Sequence, residues 1–360
     1  MTSKNLTENL GGVKMAMGFG KYVLYRVVNG VIILFLAVLL MSALFTKLAT
    51  IQLTTQVDSE VQQWVRGYTQ THHQAPSKEL IEQYRAQRMH YYALDQPYWK
   101  RTWMYTIDTF FFKWGKSIPT VFGTHDVKDQ IKTALGRTIL LFTTSEIIII
   151  LLGIALGVKS AQIPGSLLDR TISILAMVTT SLPMWWLGML MILVFVVYLD
   201  WLPITLYSQT AVSGWSNILK KMSLPVFTIV LVSFGGWAWN IRNIMIGTMQ
   251  EDFIMVARAK GVPERKVIYG HALKASSPPI ITMVIFGMIG SLSGAIITEI
   301  VFNWPGMGRL YWEALQLNAV RTMMALNYIF AFLTVFSMVL ADILYGYLDP
   351  RVRVGAAARS

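Results

Sequence analysis

The 360-residue chain contains no cysteine. That excludes disulfides, thiolate metal sites and a cysteine nucleophile, while leaving the compartment open. Nowhere does G-x-x-x-x-G-K-[ST] occur, so the chain has no P-loop with which to cradle nucleotide phosphates. Charge is scarce: 14% of residues are charged against 54% hydrophobic, and the mean hydropathy is +0.49. A soluble domain carries about 25% charged residues, so the apolar excess has to face lipid. Acids are fewer than bases, 19 against 31, for a net charge of +12. The bases are scattered at the ends of apolar runs rather than massed on one face, which fits positive-inside placement and not a nucleic-acid surface. His72, His73 and His90 lack an acid or cysteine at ligand spacing, so no metal site is expected. Histidines and carboxylates do not cluster, and no catalytic residue is assigned.

What remains is a set of apolar runs. Lys4, Lys14, Lys21 and Arg26 precede the uncharged run Val27 to Phe45, which is long enough as helix to cross a hydrocarbon core of about 30 Å. It is too long, and lacks a small-residue cleavage site, to read as a cleaved signal. Residues 1–20 read as a cytoplasmic tail, 21–47 as the first transmembrane helix and 48–136 as an extracytoplasmic segment. Residues 137–349 read as a five-helix transmembrane core, and 350–360 as a cytoplasmic tail. In the second segment, Pro76 to Arg88 reads as a helix capped by Ser77, followed by a turn at Leu94 to Trp99.

Three residues stand out within the core. Glu146 interrupts the span Thr138 to Val158; a carboxyl at that depth is costly and turns to the bundle interior or a water-filled cavity. It either lines a translocation path or pairs with a hydroxyl or base on a neighbouring helix. Pro183, inside the run Thr171 to Leu199, removes a helical hydrogen bond and predicts a kink near Ser181. Glu299 follows the fifth span, Ile280 to Ile297. Ser181, Pro183 and Glu299 join Glu146 as candidate pathway residues.

Residues 250–273, QEDFIMVARAKGVPERKVIYGHAL, are polar and basic yet lie between two apolar runs. Glu251 and Asp252 open a helix where the macrodipole favours carboxylates, and Arg258 and Lys260 close it. Gly261 supplies the stop, and Pro263 starts a second helix. Phe253, Val256 and Ala257 share one apolar face, while Ala257, Ala259 and Gly261 keep one side narrow enough to enter a protein groove. The Lys and Arg in and around this loop, on the N-terminal flank and in the tail outnumber those of the short outer loops, which places the loop in the cytoplasm.

The phrase DFIMVARAKGVPERKVIYGHALKASSPPI resembles the EAA loop of the membrane subunits of binding-protein-dependent ABC importers, dipeptide/oligopeptide branch. Asp252, Phe253, Ala257, Arg258, Ala259, Lys260, Gly261, Val267, His271, Leu273 and Pro279 carry the match. Two further phrases are similar to that family: Glu299, Phe302, Trp304, Pro305, Gly306, Gly308 and Leu310, and the closing Asp342, Tyr345, Asp349, Pro350 and Arg351. The family's RDYP is absent after Leu310, and Trp239 replaces the first of a usual arginine pair while Arg242 is kept. Residues 55 to 75 have no family counterpart.

The resemblance implies an all-α integral membrane protein with six transmembrane helices, the type I ABC importer permease fold with a cytoplasmic coupling helix and a sizeable extracytoplasmic segment. It implies a cell (inner or plasma) membrane location with both termini cytoplasmic. It implies that Glu251, Asp252, Phe253, Ala257, Arg258, Ala259, Lys260 and Gly261 dock into a separate ATPase. The implied partners are a second, similar permease, two ATPase subunits that hold ATP and Mg, and an extracytoplasmic substrate-binding protein. No cofactor is expected on this chain, and no nucleic acid. The implied cargo is a di- or oligopeptide, with an oligosaccharide or a nickel complex as the alternatives. A reading from another class is an ion-coupled secondary transporter with Glu146 and Glu299 as proton or cation sites.

Overall fold

The computed structural model describes residues 19–202 and 215–348. The tail readings at the two ends, and the match at Asp349, Pro350 and Arg351, lie outside the described residues.

The first helix, α1, runs Phe19–His72, 54 residues. At 1.5 Å per residue it is about 80 Å long, so the boundary expected at residue 47 is not a break. No proline or glycine occurs between Gly30 and Gly67 to stop it. Its threonines return their hydroxyls to carbonyls one turn back, Thr46 to Ser42 and Thr50 to Thr46, and so satisfy themselves within the helix. Its C-terminal end is stabilised by α2 (Lys78–Tyr91), which folds back along it. Arg88 Nε donates to Glu60 at 2.5 Å, Tyr92 Oη donates to the same carboxylate at 2.7 Å, and Trp64 stacks on Tyr84. Ser77 caps α2 as its sequence predicts, accepting from Leu80 N–H at 3.2 Å.

After the turn at Pro97, α3 (Tyr98–Phe110) crosses α1, with Arg101 Nη1 donating to Thr50 and Thr102 to Thr46. A short antiparallel hairpin follows, β1 (Lys116–Val121) and β2 (Thr124–Asp126), which the sequence reading did not anticipate. Asp126 caps α4 (Val127–Thr138). A π-turn at Ile139–Thr143 joins α4 to α5 (Thr144–Gln162), giving one span over Val127–Gln162.

The third run is a bent pair. The helix α6 (Leu167–Ser181) ends at Leu182, and α7 (Met184–Ile192) with its π-turn to Tyr198 leaves at 95°. The kink expected at Pro183 is a full break. Next comes α8 (Trp215–Met249), longer at both ends than the span read from Leu224 to Trp239, with Pro225 inside it. Then follow α9 (Asp252–Ala259), α10 (Glu264–Lys266) and α11 (Leu273–Gly290). Gly294 breaks the chain at φ 67°, so the fifth span stops short of Ile297, and α12 (Ile296–Val301) is separate. The chain closes with α13 (Met307–Gln316) and α14 (Val320–Leu348).

Among the described residues five helices are long and apolar enough to cross a membrane, and the bent pair α6 and α7 makes a sixth if it is one broken span. The helices α5 and α6 pack along α8, and α1 along α14. One core, with Val38, Ile131, Leu310 and Leu326, ties α1 and α14 to α4 and α13. A second, with Val158, Ile241, Ile254 and Val267, lies at the other end of the bundle.

Candidate functional site

The second core seats α9. Ile254 is fully buried and Ala257 is 8% exposed, in a core shared with Val158 of α5, Ile241 and Met245 of α8 and Val267, Ile268 and Ala272 of the π-turn Val267–Ala272, against which α9 packs. The other side of the helix is open: Phe253, Met255 and Val256 are exposed, with Glu251, Asp252, Arg258, Ala259 and Lys260 around them. Ala257 therefore does not share an outward face with Phe253 and Val256 as the sequence pattern suggested. It supports the helix from beneath.

The turn after α9 is built to be rigid. Gly261 sits at φ 74°, where an L side chain is disfavoured, and its N–H donates to Arg258 O at 2.9 Å while Val262 N–H donates to Ala257 O at 3.2 Å. Arg258 spans the turn and grips Glu264 with two nitrogens, at 2.7 and 3.2 Å. Its charge is thus spent within the loop. The result is a short, firmly mounted knob with an apolar crest.

Directly behind it lies an ion pair that no local pattern signals. Asp169, near the start of α6, accepts from Ser160 Oγ at 2.7 Å, from Gly165 N–H at 2.7 Å and from Arg242 Nη2 at 2.9 Å, with Arg242 Nε on its other oxygen. The carboxylate is buried, its side chain 5% exposed. This cluster ties the turn between α5 and α6 to α8 at the level of Ile241 and Met245, which share the core of α9.

The pathway candidates fall into different settings. Glu146 on α5 is half-buried; its Oε1 lies against Gly287 of α11 and Trp237 of α8, and it has no hydrogen-bond partner among the described residues. The hydroxyl or basic partner considered for it is therefore not provided by the described part of this chain. Ser181 and Pro183 are exposed at the 95° break, with Ser181 Oγ donating to Met177 O at 2.8 Å. Glu299 differs from all three: it is fully buried. Its carboxylate accepts from Thr138 Oγ1 at 2.8 Å and from Arg309 N–H at 3.0 Å at the start of α13. Gly306 and Gly308 let this loop close, since a Cβ on the first would strike the Glu299 carboxylate and on the second would lie 2.5 Å from Ile296 Cα. With no accessible surface, Glu299 is held as a lock between α12, Thr138 and the start of α13. Burial pushes its carboxyl up to about 7, against the backbone and Thr138 donors that favour the charged form.

The family described as the binding-protein-dependent transport system inner membrane component matches residues 149–354. The chain belongs to that family. Among its relatives, the oligopeptide transport system permease protein of Bacillus subtilis is 31% identical over 67% of this chain and 79% of that protein. The dipeptide transport system permease protein of Alkalihalophilus pseudofirmus is 30% identical over 72% of this chain and 83% of that protein. The glutathione transport system permease protein of Escherichia coli is 30% identical over 72% and 81%. The permease is thus a multi-pass membrane protein, and its matched region contains the knob, the bent pair and the Glu299 lock.

Two features of this permease escaped the sequence reading. Arg242 was noted only as the survivor of a pair, and Asp169 not at all, although an aspartate at the first turn of a membrane helix, three residues after a capping serine, is a signal that something must neutralise it. The long outer extension of α1 gave no signal beyond the absence of breakers.

Proposed function

We propose that this chain is the translocating permease subunit of an ABC importer for di- or oligopeptides, driven by ATP hydrolysed on separate subunits. The observation that carries the reading is the α9 knob. Its inner side is packed into three spans through Ile254 and Ala257, and its outer side leaves Phe253, Met255 and Val256 uncovered beside charged residues. Such a crest needs a groove to cover it, and force applied there passes through the π-turn Val267–Ala272 into α11 and the core it shares with α5 and α8.

In this reading two ATPase subunits, which hold ATP and Mg, close on each other and carry the knobs of this chain and of a second, similar permease with them. The helix α7 that leaves the break at Pro183 packs against α12, which carries Glu299, so the two features share one end of the spans that would swing. A receptor delivers the solute to the outer face, and both termini lie in the cytoplasm of a cell with this inner or plasma membrane. The peptide assignment draws on the oligopeptide, dipeptide and glutathione permeases to which the chain is similar.

The test is reconstitution. Purified with its partners and sealed in vesicles, the complex is expected to accumulate a labelled dipeptide when receptor and ATP are supplied. Accumulation by this chain alone on an ion gradient would refute the reading and favour the secondary transporter.

A further inference from the structure

At the end of α8 away from the knob, Lys221 is 2% exposed, one of the largest fully buried side chains in the permease. Among the described residues it has no hydrogen bond or ion pair. The charged groups that act on it are Arg309 and Arg137, both of its own sign. The stretch 203–214, PITLYSQTAVSG, contains no aspartate or glutamate, and Asp200 before it is exposed. The nearest acid on the same wall, Glu313, is already paired with Arg309 at 2.9 Å. An ammonium withdrawn from water without an anion is expensive to keep.

Lys221 lines a cavity of about 580 Å³, with Phe122, Pro305, Arg309, Trp312 and Leu317 among the other walls. That volume lies within the range of small-molecule sites, and the combination of apolar walls with a few fixed polar groups is what such sites need. We propose that this cavity binds the carboxylate of a small solute, with Lys221 as its counter-ion, Arg309 beside it, and Trp312, Phe122 and Leu317 against the solute's apolar body. The site faces the receptor side of the spans, and in this respect the inference rests on the importer reading. It adds to that reading a contact on the permease itself that selects for a free carboxyl terminus.

The test is binding, which needs neither ATP nor receptor and so stands or falls apart from the importer reading. The full complex is placed in phosphatidylcholine nanodiscs and its thermal midpoint measured with dialanine and with dialanine amide at millimolar concentration. Dialanine is expected to raise the midpoint by about 2–4 °C and the amide to have no effect. Lys221→Met is expected to abolish the shift while leaving the unliganded midpoint unchanged or higher, because the buried charge is gone. Equal shifts from acid and amide, no shift from either, or a shift that survives Lys221→Met would each overturn the proposal. So would a midpoint that rises only when phosphatidylglycerol is added and is indifferent to dialanine, since the anion would then be a lipid headgroup.

Discussion

Arg242 holds Asp169 with two guanidinium nitrogens, one on each carboxylate oxygen, although the residues are 73 positions apart. The pair joins the start of α6 to α8 between Ile241 and Met245, which share the core of α9. Removing the acid leaves a guanidinium with most of its surface buried and its partner gone. Asp169→Asn is therefore expected to lower unfolding stability by about 3–5 kcal/mol, read by thermal unfolding of the purified complex. Arg242→Lys keeps the charge and loses the fork, and should cost less than Asp169→Asn. If both variants match the wild type, the pair does not brace the bundle.

Gly261 tests whether the knob must keep its angle. No side-chain or backbone atom crowds the position, so a substitution there acts through the backbone alone. At φ 74° a β-branched residue costs about 1–2 kcal/mol, whereas asparagine tolerates the left-handed region. Gly261→Val should reach the membrane in normal amount, yet the complex that contains it should hydrolyse ATP without uptake, and Gly261→Asn should retain most transport. Normal uptake by Gly261→Val would argue against a force-bearing knob.

How much of this was readable beforehand depends on the distance over which each signal acts. The knob was legible because its cause is local: acids first, bases last, glycine at the stop, proline at the restart. Ser77 and Pro183 acted where they stood for the same reason. The orientation of Ala257 was not legible, since Phe253, Val256 and Ala257 share a helical face in any amphipathic reading and only the placement of α5 and α8 decides which side is covered. Likewise the extension of α1 past residue 47 depends on α2 folding back so that Arg88 meets Glu60, 28 residues away. Glu299 was legible as a motif residue but not as a lock, because its partner Thr138 lies 161 positions earlier.

That lock carries a pH signature. Glu299 lies beyond the fifth span and is raised from near 4.5 to about 7 by burial. The folded protein therefore holds this proton to higher pH than the unfolded chain does. Its contribution is fully present below about pH 4.5 and is lost as pH rises through about 7, a change on the order of 3 kcal/mol. Glu299→Gln cannot titrate, so its stability should vary less over this window. An unaltered pH profile in Glu299→Gln would show that other groups set it.

Glu146 offers the last prediction, and it turns on Gly287. The carboxylate Oε1 occupies the space where a Cβ on Gly287 would stand, with Trp237 closing the third side. One turn away, Thr143 Oγ1 of the π-turn before α5 meets Ser291 Oγ just past the end of α11 at 2.9 Å, so the two segments are already joined beside the carboxyl without its help. A group that pairs with nothing in the described chain, on a contact secured by other residues, is not needed to hold the helices together. Glu146→Gln should therefore leave the amount of folded permease unchanged while altering uptake by about fivefold or more, as expected of an intramembrane carboxyl on a solute path. Gly287→Ala should reproduce that change, because the added methyl displaces the carboxyl without neutralising it. Uptake and membrane-inserted protein measured on the same cells separate the outcomes: parallel loss of both in Glu146→Gln would assign the residue to packing. Altered uptake in Glu146→Gln alone would mean that charge matters and position does not.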